Sequence, residues 1–110
     1  MKPSTASVAF ISLSALLLAS SSVGAATPAV RGKVLLSSHC SGCHALGRTG
    51  DSPLARAPPF RTLHTRYPID SLGEALAEGI LVGHPQMPEF RFSADEVADI
   101  TTYLKSIQTK

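Results

Sequence analysis

Apolar residues recur at helical spacing in three stretches of this chain, and nowhere do they alternate with the period of a strand. The clearest stripe is the last one, Val97, Ile100, Leu104 and Ile107. Ser93 and Glu96 stand ahead of it at the spacing of a capping box. A shorter stripe, Leu72, Ala75, Leu76 and Gly79, follows Ser71 and Glu74, which have the same spacing, and Gly79 or Gly83 is expected to end that helix. The third begins at Thr27-Pro28, an N-cap residue followed by a proline whose missing N–H costs nothing at the first helical position. This predicts a helix over 28–38 with Val30, Val34 and Leu35 near one face, running straight into Cys40. Between these stretches, 46–59 has two glycines, three prolines and no periodicity, and reads as loop. Positions 60–66 have room for one or two helical turns, and 82–92 is a second loop with prolines on both sides of Met87. There is no internal repeat.

The first 26 residues follow another pattern. Their only charged side chain is Lys2. Positions 8–19 are almost wholly apolar, and small residues follow as far as Ala26. A basic start, a short apolar core and a small-residue end make a secretory signal peptide. Val23 and Ala25 suit the positions before a cut, so residues 1–25 are assigned as the signal and 26–110 as the one domain, with cleavage after Ala26 nearly as good. The apolar core is about a dozen residues, short of the roughly 20 that cross a bilayer. No transmembrane anchor is therefore expected after cleavage.

Setting the leader aside leaves about 85 residues, too few to bury much apolar surface. Small exported domains often compensate with disulfides. Here the only cysteines are Cys40 and Cys43, and a bridge across two intervening residues would restrain little of the unfolded chain. If this domain is stapled, something else is the staple. Charge is uneven as well. Residues 26–66 carry six basic groups and one acid, and 67–110 carry three basic groups and seven acids. That balance argues against a nucleic-acid binder. It could orient approach to a charged partner, or be no more than a solvated surface.

The chemistry concentrates in Cys40-Ser41-Gly42-Cys43-His44. Two thiols two residues apart can each add to one of two vinyl groups on neighbouring pyrroles of a haem, and the next residue is then carried to the iron as an imidazole ligand. Its other ring nitrogen should donate to a backbone carbonyl. A thiol oxidoreductase also uses this cysteine spacing, but at a helix start among strands. A zinc site needs four ligands, for which only His39, His44, His64 and His84 could supplement the pair. A plain structural disulfide remains the simplest alternative. For a second axial ligand, the one methionine beyond the leader is Met87, 43 positions after His44. A methionine on a helix face is usually core filler, but a proline-flanked loop could aim its thioether at a fixed point. His84 is the competing ligand, and His39 and His64 read as surface or hydrogen-bonding residues.

With these marks in order, the chain from about Val30 to Ile107 resembles a bacterial class I cytochrome c. Gly32 and Leu36, eight and four positions before Cys40, match the pair by which the family's first helix packs. Tyr103 and Leu104 match the pair on the last helix, which crosses it. Ala57-Pro58-Pro59-Phe60 resembles the loop whose proline carbonyl accepts from the proximal histidine, with Pro58 as the acceptor and Phe60 against the ring. Met87-Pro88 matches the methionine loop. No Trp is available for a haem propionate, which leaves Arg48, Arg56, Arg61 and Arg66 as candidates.

The resemblance implies an all-α fold of three to four helices around one covalently bound haem c. Cys40 and Cys43 would attach it, His44 and Met87 would ligate its iron, and Phe90 and Phe92 would line the crevice. It also implies a periplasmic electron carrier rather than an enzyme, acting as a monomer with redox protein partners such as a dehydrogenase, oxidase or reductase. The alternative is a haem-based sensor or gas-binding protein with a displaceable sixth ligand.

Overall fold

The computed structural model describes residues 2–4, 20–79 and 86–110. Three α-helices carry the fold: α1 (Pro28–His39), α2 (Leu72–Glu78) and α3 (Ala94–Ile107). Two 3-10 turns, Phe60–Thr65 and Ile69–Ser71, lie between α1 and α2. The described residues contain no strand, and the fold is all-α. Stretch 46–59 is irregular, as its glycines and prolines predict.

Helix α1 starts where the sequence places it. The Thr27 hydroxyl accepts from the Val30 N–H, with Pro28 at the first helical position. Its buried face is the Gly32/Leu36 row that the resemblance marks rather than the Val30/Val34 stripe. Val30 and Val34 are 52% and 59% exposed, whereas Gly32 and Leu36 are buried. The cause is the crossing with α3. A Cβ at Gly32 would lie 2.1 Å from the Asp99 carbonyl oxygen and 2.9 Å from the Ile100 nitrogen. Backbone contact at Gly32 brings the Gly32/Leu36 row inward and turns the valines out. Beside this contact, Arg31 donates from Nε and Nη2 to the two carboxylate oxygens of Asp99 at 2.7 and 2.8 Å. That two-pronged pairing satisfies a carboxylate only 8% exposed.

Helix α3 is capped as its sequence predicts. Ser93 Oγ accepts from the Glu96 N–H, and Glu96 Oε2 accepts from the Ser93 N–H. Ile100, Leu104 and Ile107 are buried, with Val97 packed against them. Tyr103 joins them and donates its hydroxyl to the Leu46 carbonyl at 2.6 Å.

The capping box expected at Ser71 does not form. Ser71 already has helical angles (φ −69, ψ −17), and its side chain makes no cap hydrogen bond. The turn begins instead after Pro68, whose extended conformation precedes Ile69–Ser71, so the chain is coiling before it reaches Ser71. Gly79 ends α2, as one of the two expected stops, in the left-handed region at φ 77. A side chain there would strain the backbone and meet the Glu89 carboxylate at 2.6 Å.

Candidate functional site

Helix α1 delivers Cys40 to the edge of the core. The Cys40 N–H donates to the Leu36 carbonyl, and the Cys43 and His44 N–H groups both turn back to the Cys40 carbonyl at 3.2 and 3.0 Å. The two thiols are not joined to each other. Burial, and secondarily Cys43, pushes the Cys40 thiol up to about 11, so it stays protonated at neutral pH. Cys43 is exposed.

His44 is held from two sides. Its Nδ1 lies 2.8 Å from the Pro58 carbonyl oxygen. A carbonyl can only accept, so Nδ1 carries the proton and Nε2 is left as the metal-binding nitrogen. The ring stacks on Phe60 with centroids 4.6 Å apart and planes 30° from parallel. The loop carrying both residues is pinned to the attachment segment. Leu54 N–H donates to the Cys43 carbonyl at 3.1 Å, and Phe60 N–H to the Ala45 carbonyl at 3.0 Å. Gln108, just past α3, adds an unforeseen restraint by donating Nε2 to the Phe60 carbonyl at 2.9 Å. No local pattern marks Gln108, because its partner is 48 positions away.

These groups share one apolar cavity of about 510 Å3. Leu36, Ile100 and Leu104 bring the α1–α3 core to its wall, Leu72 and Leu76 bring α2, and Leu63 and Phe60 the first 3-10 turn. Cys40, Cys43, His44 and Pro58 line it, and so do Met87, Phe90 and Phe92. The structure therefore brings together on one cavity wall all six residues singled out for attachment, ligation and support. His84 lies outside the described residues.

The remaining candidates separate. Arg48 donates to the Ser106 carbonyl, Arg56 to Gln86 Oε1, and Arg61 to the Gly50 carbonyl. Among the described residues, Arg66 is the charged side chain on the cavity wall, with Tyr67 beside it in sequence and also on the wall. Burial raises the Tyr67 phenol above its ordinary value, so it stays a neutral donor. His64 is exposed and bonds Gln108 Oε1 at 3.0 Å. His39 donates Nδ1 to the Leu35 carbonyl and meets Phe90 and Phe92 edge-on at 5.4 and 5.2 Å. It also lines the cavity, which its position next to Cys40 could have signalled.

The cavity suits a haem. Its volume lies within the roughly 300–1,000 Å3 of cofactor sites, and its walls are largely apolar, as a macrocycle requires. Two thiols stand two residues apart, and an imidazole has its outer nitrogen already committed. Among the described residues, no three His, Cys, Asp or Glu side chains gather as a metal-binding cluster, so a zinc site built from protein ligands is not assembled there. Compared with known proteins, residues 29–108 match the family model described as Cytochrome c. No curated protein and no solved structure gives a significant match.

Proposed function

The chain belongs to the cytochrome c family, whose members bind haem and transfer electrons, and from that premise we propose that it is a periplasmic carrier of one electron on a single haem c ligated by His44 and Met87. One observation carries this reading: the Cys40–Cys43–His44 segment and Met87 line the same apolar cavity. The bound haem would supply a reversible one-electron couple at its iron. This chain's own residues would do the rest. Cys40 and Cys43 hold the ring covalently. Pro58 and Phe60 fix the orientation of His44, and a histidine so polarised is a better donor. Met87 offers a neutral sulfur, which raises the potential of a haem site. Leu63, Phe90, Phe92 and their neighbours keep water away. Arg66 and Tyr67, both on the cavity wall, would be the ion-pair and hydrogen-bond donors for a haem carboxylate.

Residues 1–25 act as an export signal in this reading, and Ala26 becomes the N-terminus. No helix among the described residues is long and apolar enough to cross a membrane. The carrier works as a monomer and exchanges electrons with redox proteins such as a dehydrogenase, oxidase or reductase. With His44 and Met87 both donating to the iron, the bound haem would serve electron exchange rather than substrate turnover.

The test is a visible spectrum of the purified, exported protein together with its intact mass. We expect covalent low-spin haem, a methionine-to-iron charge-transfer band in the oxidised form, and a mass equal to residues 26–110 plus one haem. Met87→Ala should lose that band and gain rapid carbon monoxide binding when reduced. A wild type that binds carbon monoxide rapidly and completely at neutral pH would instead be a sensor or gas binder.

A further inference from the structure

The segment that presents Met87 is tied down unevenly. At its far end, the Phe92 N–H donates to the Leu76 carbonyl at 2.9 Å, which anchors it to α2. Phe90 and Phe92 pack on His39, which anchors it to α1. Both anchors lie beyond Met87. On the near side, the tie among the described residues is Gln86, whose side-chain oxygen accepts from the Arg56 guanidinium. Arg56 is 30 positions away, in the loop that also carries Pro58. That loop is itself fastened to the attachment segment through Leu54 and Phe60.

We propose that Arg56 and Gln86 form a clasp that joins the Met87 segment to the His44-supporting loop, and that both are positioning residues for the sixth ligand. The inference rests on Met87 being that ligand. The argument is geometric. Arg56 sits two residues before the carbonyl that holds His44, and Gln86 sits immediately before Met87. One hydrogen bond thus connects the chain on the histidine side of the cavity to the chain on the methionine side. Without it, the next described restraint on the sulfur's segment is at Phe90, three residues further on. A longer untethered segment has more conformations in which the thioether is turned away. Both partners are solvent-exposed, so the clasp is a modest bias rather than a lock. Among the described residues no other side chain duplicates its position, and Arg48 and Arg61 are committed to carbonyls elsewhere.

With Met87 as a ligand, the clasp would favour conformations that keep the thioether in the cavity and so would slow the entry of an outside ligand. It should barely change the equilibrium stability of the helices, since neither residue belongs to one.

The experiment uses the holoprotein and its Arg56→Ala, Gln86→Ala, Gln86→Glu and Arg56→Ala/Gln86→Glu variants. Three readouts are compared: the methionine charge-transfer band against pH, carbon monoxide binding by the reduced form, and hydrogen–deuterium exchange in 86–92. Losing a hydrogen bond to a charged group should speed carbon monoxide entry and amide exchange by about three- to ten-fold in either alanine variant. Gln86→Glu turns the clasp into an ion pair. It should slow both and move loss of the band to higher pH, and this gain should vanish when Arg56 is also replaced. Unchanged exchange in 86–92 across the set overturns the clasp, whichever residue ligates the iron. A wild type without the band overturns Met87 ligation, and with it the positioning role, while faster exchange would still show that the tether exists.

Discussion

At Gly32 a methyl group has nowhere to go, since the nearest obstacle is peptide backbone at 2.1 Å rather than a side chain that could swing aside. Gly32→Ala must push α1 away from α3 and disturb the adjoining Arg31–Asp99 pair. Overpacking costs roughly 1–3 kcal/mol even where side chains can yield. We therefore expect a loss at or above the top of that range, read as a lowered denaturant midpoint of the holoprotein. Tyr103 makes a different kind of prediction. Burial raises its phenol above the ordinary value of 10.0, partly opposed by Arg48. The folded state thus prefers the neutral phenol. Its stabilising contribution is complete below about pH 10 and is lost as pH rises through the folded value. Tyr103→Phe should flatten the decline of the unfolding midpoint above that pH, and a decline as steep as wild type would contradict the assignment.

At the scale of elements, the two serine caps predicted from one spacing have opposite fates. Ser93 is extended and bonded reciprocally with Glu96, and Ser71 is helical and bonds nothing through its side chain. Ser93→Ala should cost about 1 kcal/mol in chemical denaturation, while Ser71→Ala should stay within about 0.5 kcal/mol of wild type. The same contrast explains how much of each helix could be read in advance. A capping pattern reports only that a serine is able to cap. It does not report whether the preceding residues, here Pro68 and the turn after it, have already begun to coil. Helices α1 and α3 were legible because their caps and stripes are local. The apolar stripe of α1 misjudged its facing, because Val30 and Val34 look more apolar than Gly32, whereas the family resemblance had marked Gly32 and Leu36, the row that α3 does meet.

For the whole molecule, the cavity is the dominant energetic fact. About 510 Å3 of mostly apolar space runs through a domain of about 85 residues. A chain unable to take up a haem would have to hollow or collapse that space. Either outcome leaves large apolar walls in water or costs the packing around them, which is heavy against the roughly 5–15 kcal/mol stability of a typical domain. Cys40→Ala combined with Cys43→Ala should consequently leave no cooperative thermal transition and little soluble product. A haem-free variant that unfolds cooperatively near the holoprotein's midpoint would refute the view that the cofactor is the core.

What the sequence determined by itself were the short-range facts: the attachment segment, the lone Met87 between prolines, the starts of α1 and α3, the irregular 46–59 loop and a glycine stop for α2 at Gly79 or Gly83. Each depends on residues within a few positions of one another, where covalent geometry and capping chemistry leave few options. Even the link from His44 to Pro58 was readable, because a family resemblance supplied the distant partner. Tertiary structure alone decided the rest. It chose which of four arginines reaches the cavity wall, turned His39 to the same wall, paired Arg31 with Asp99 across 68 positions, and set Arg56 on Gln86. Those outcomes depend on how helices cross and loops return, and long polar side chains on a surface can satisfy themselves in many ways that no local pattern distinguishes.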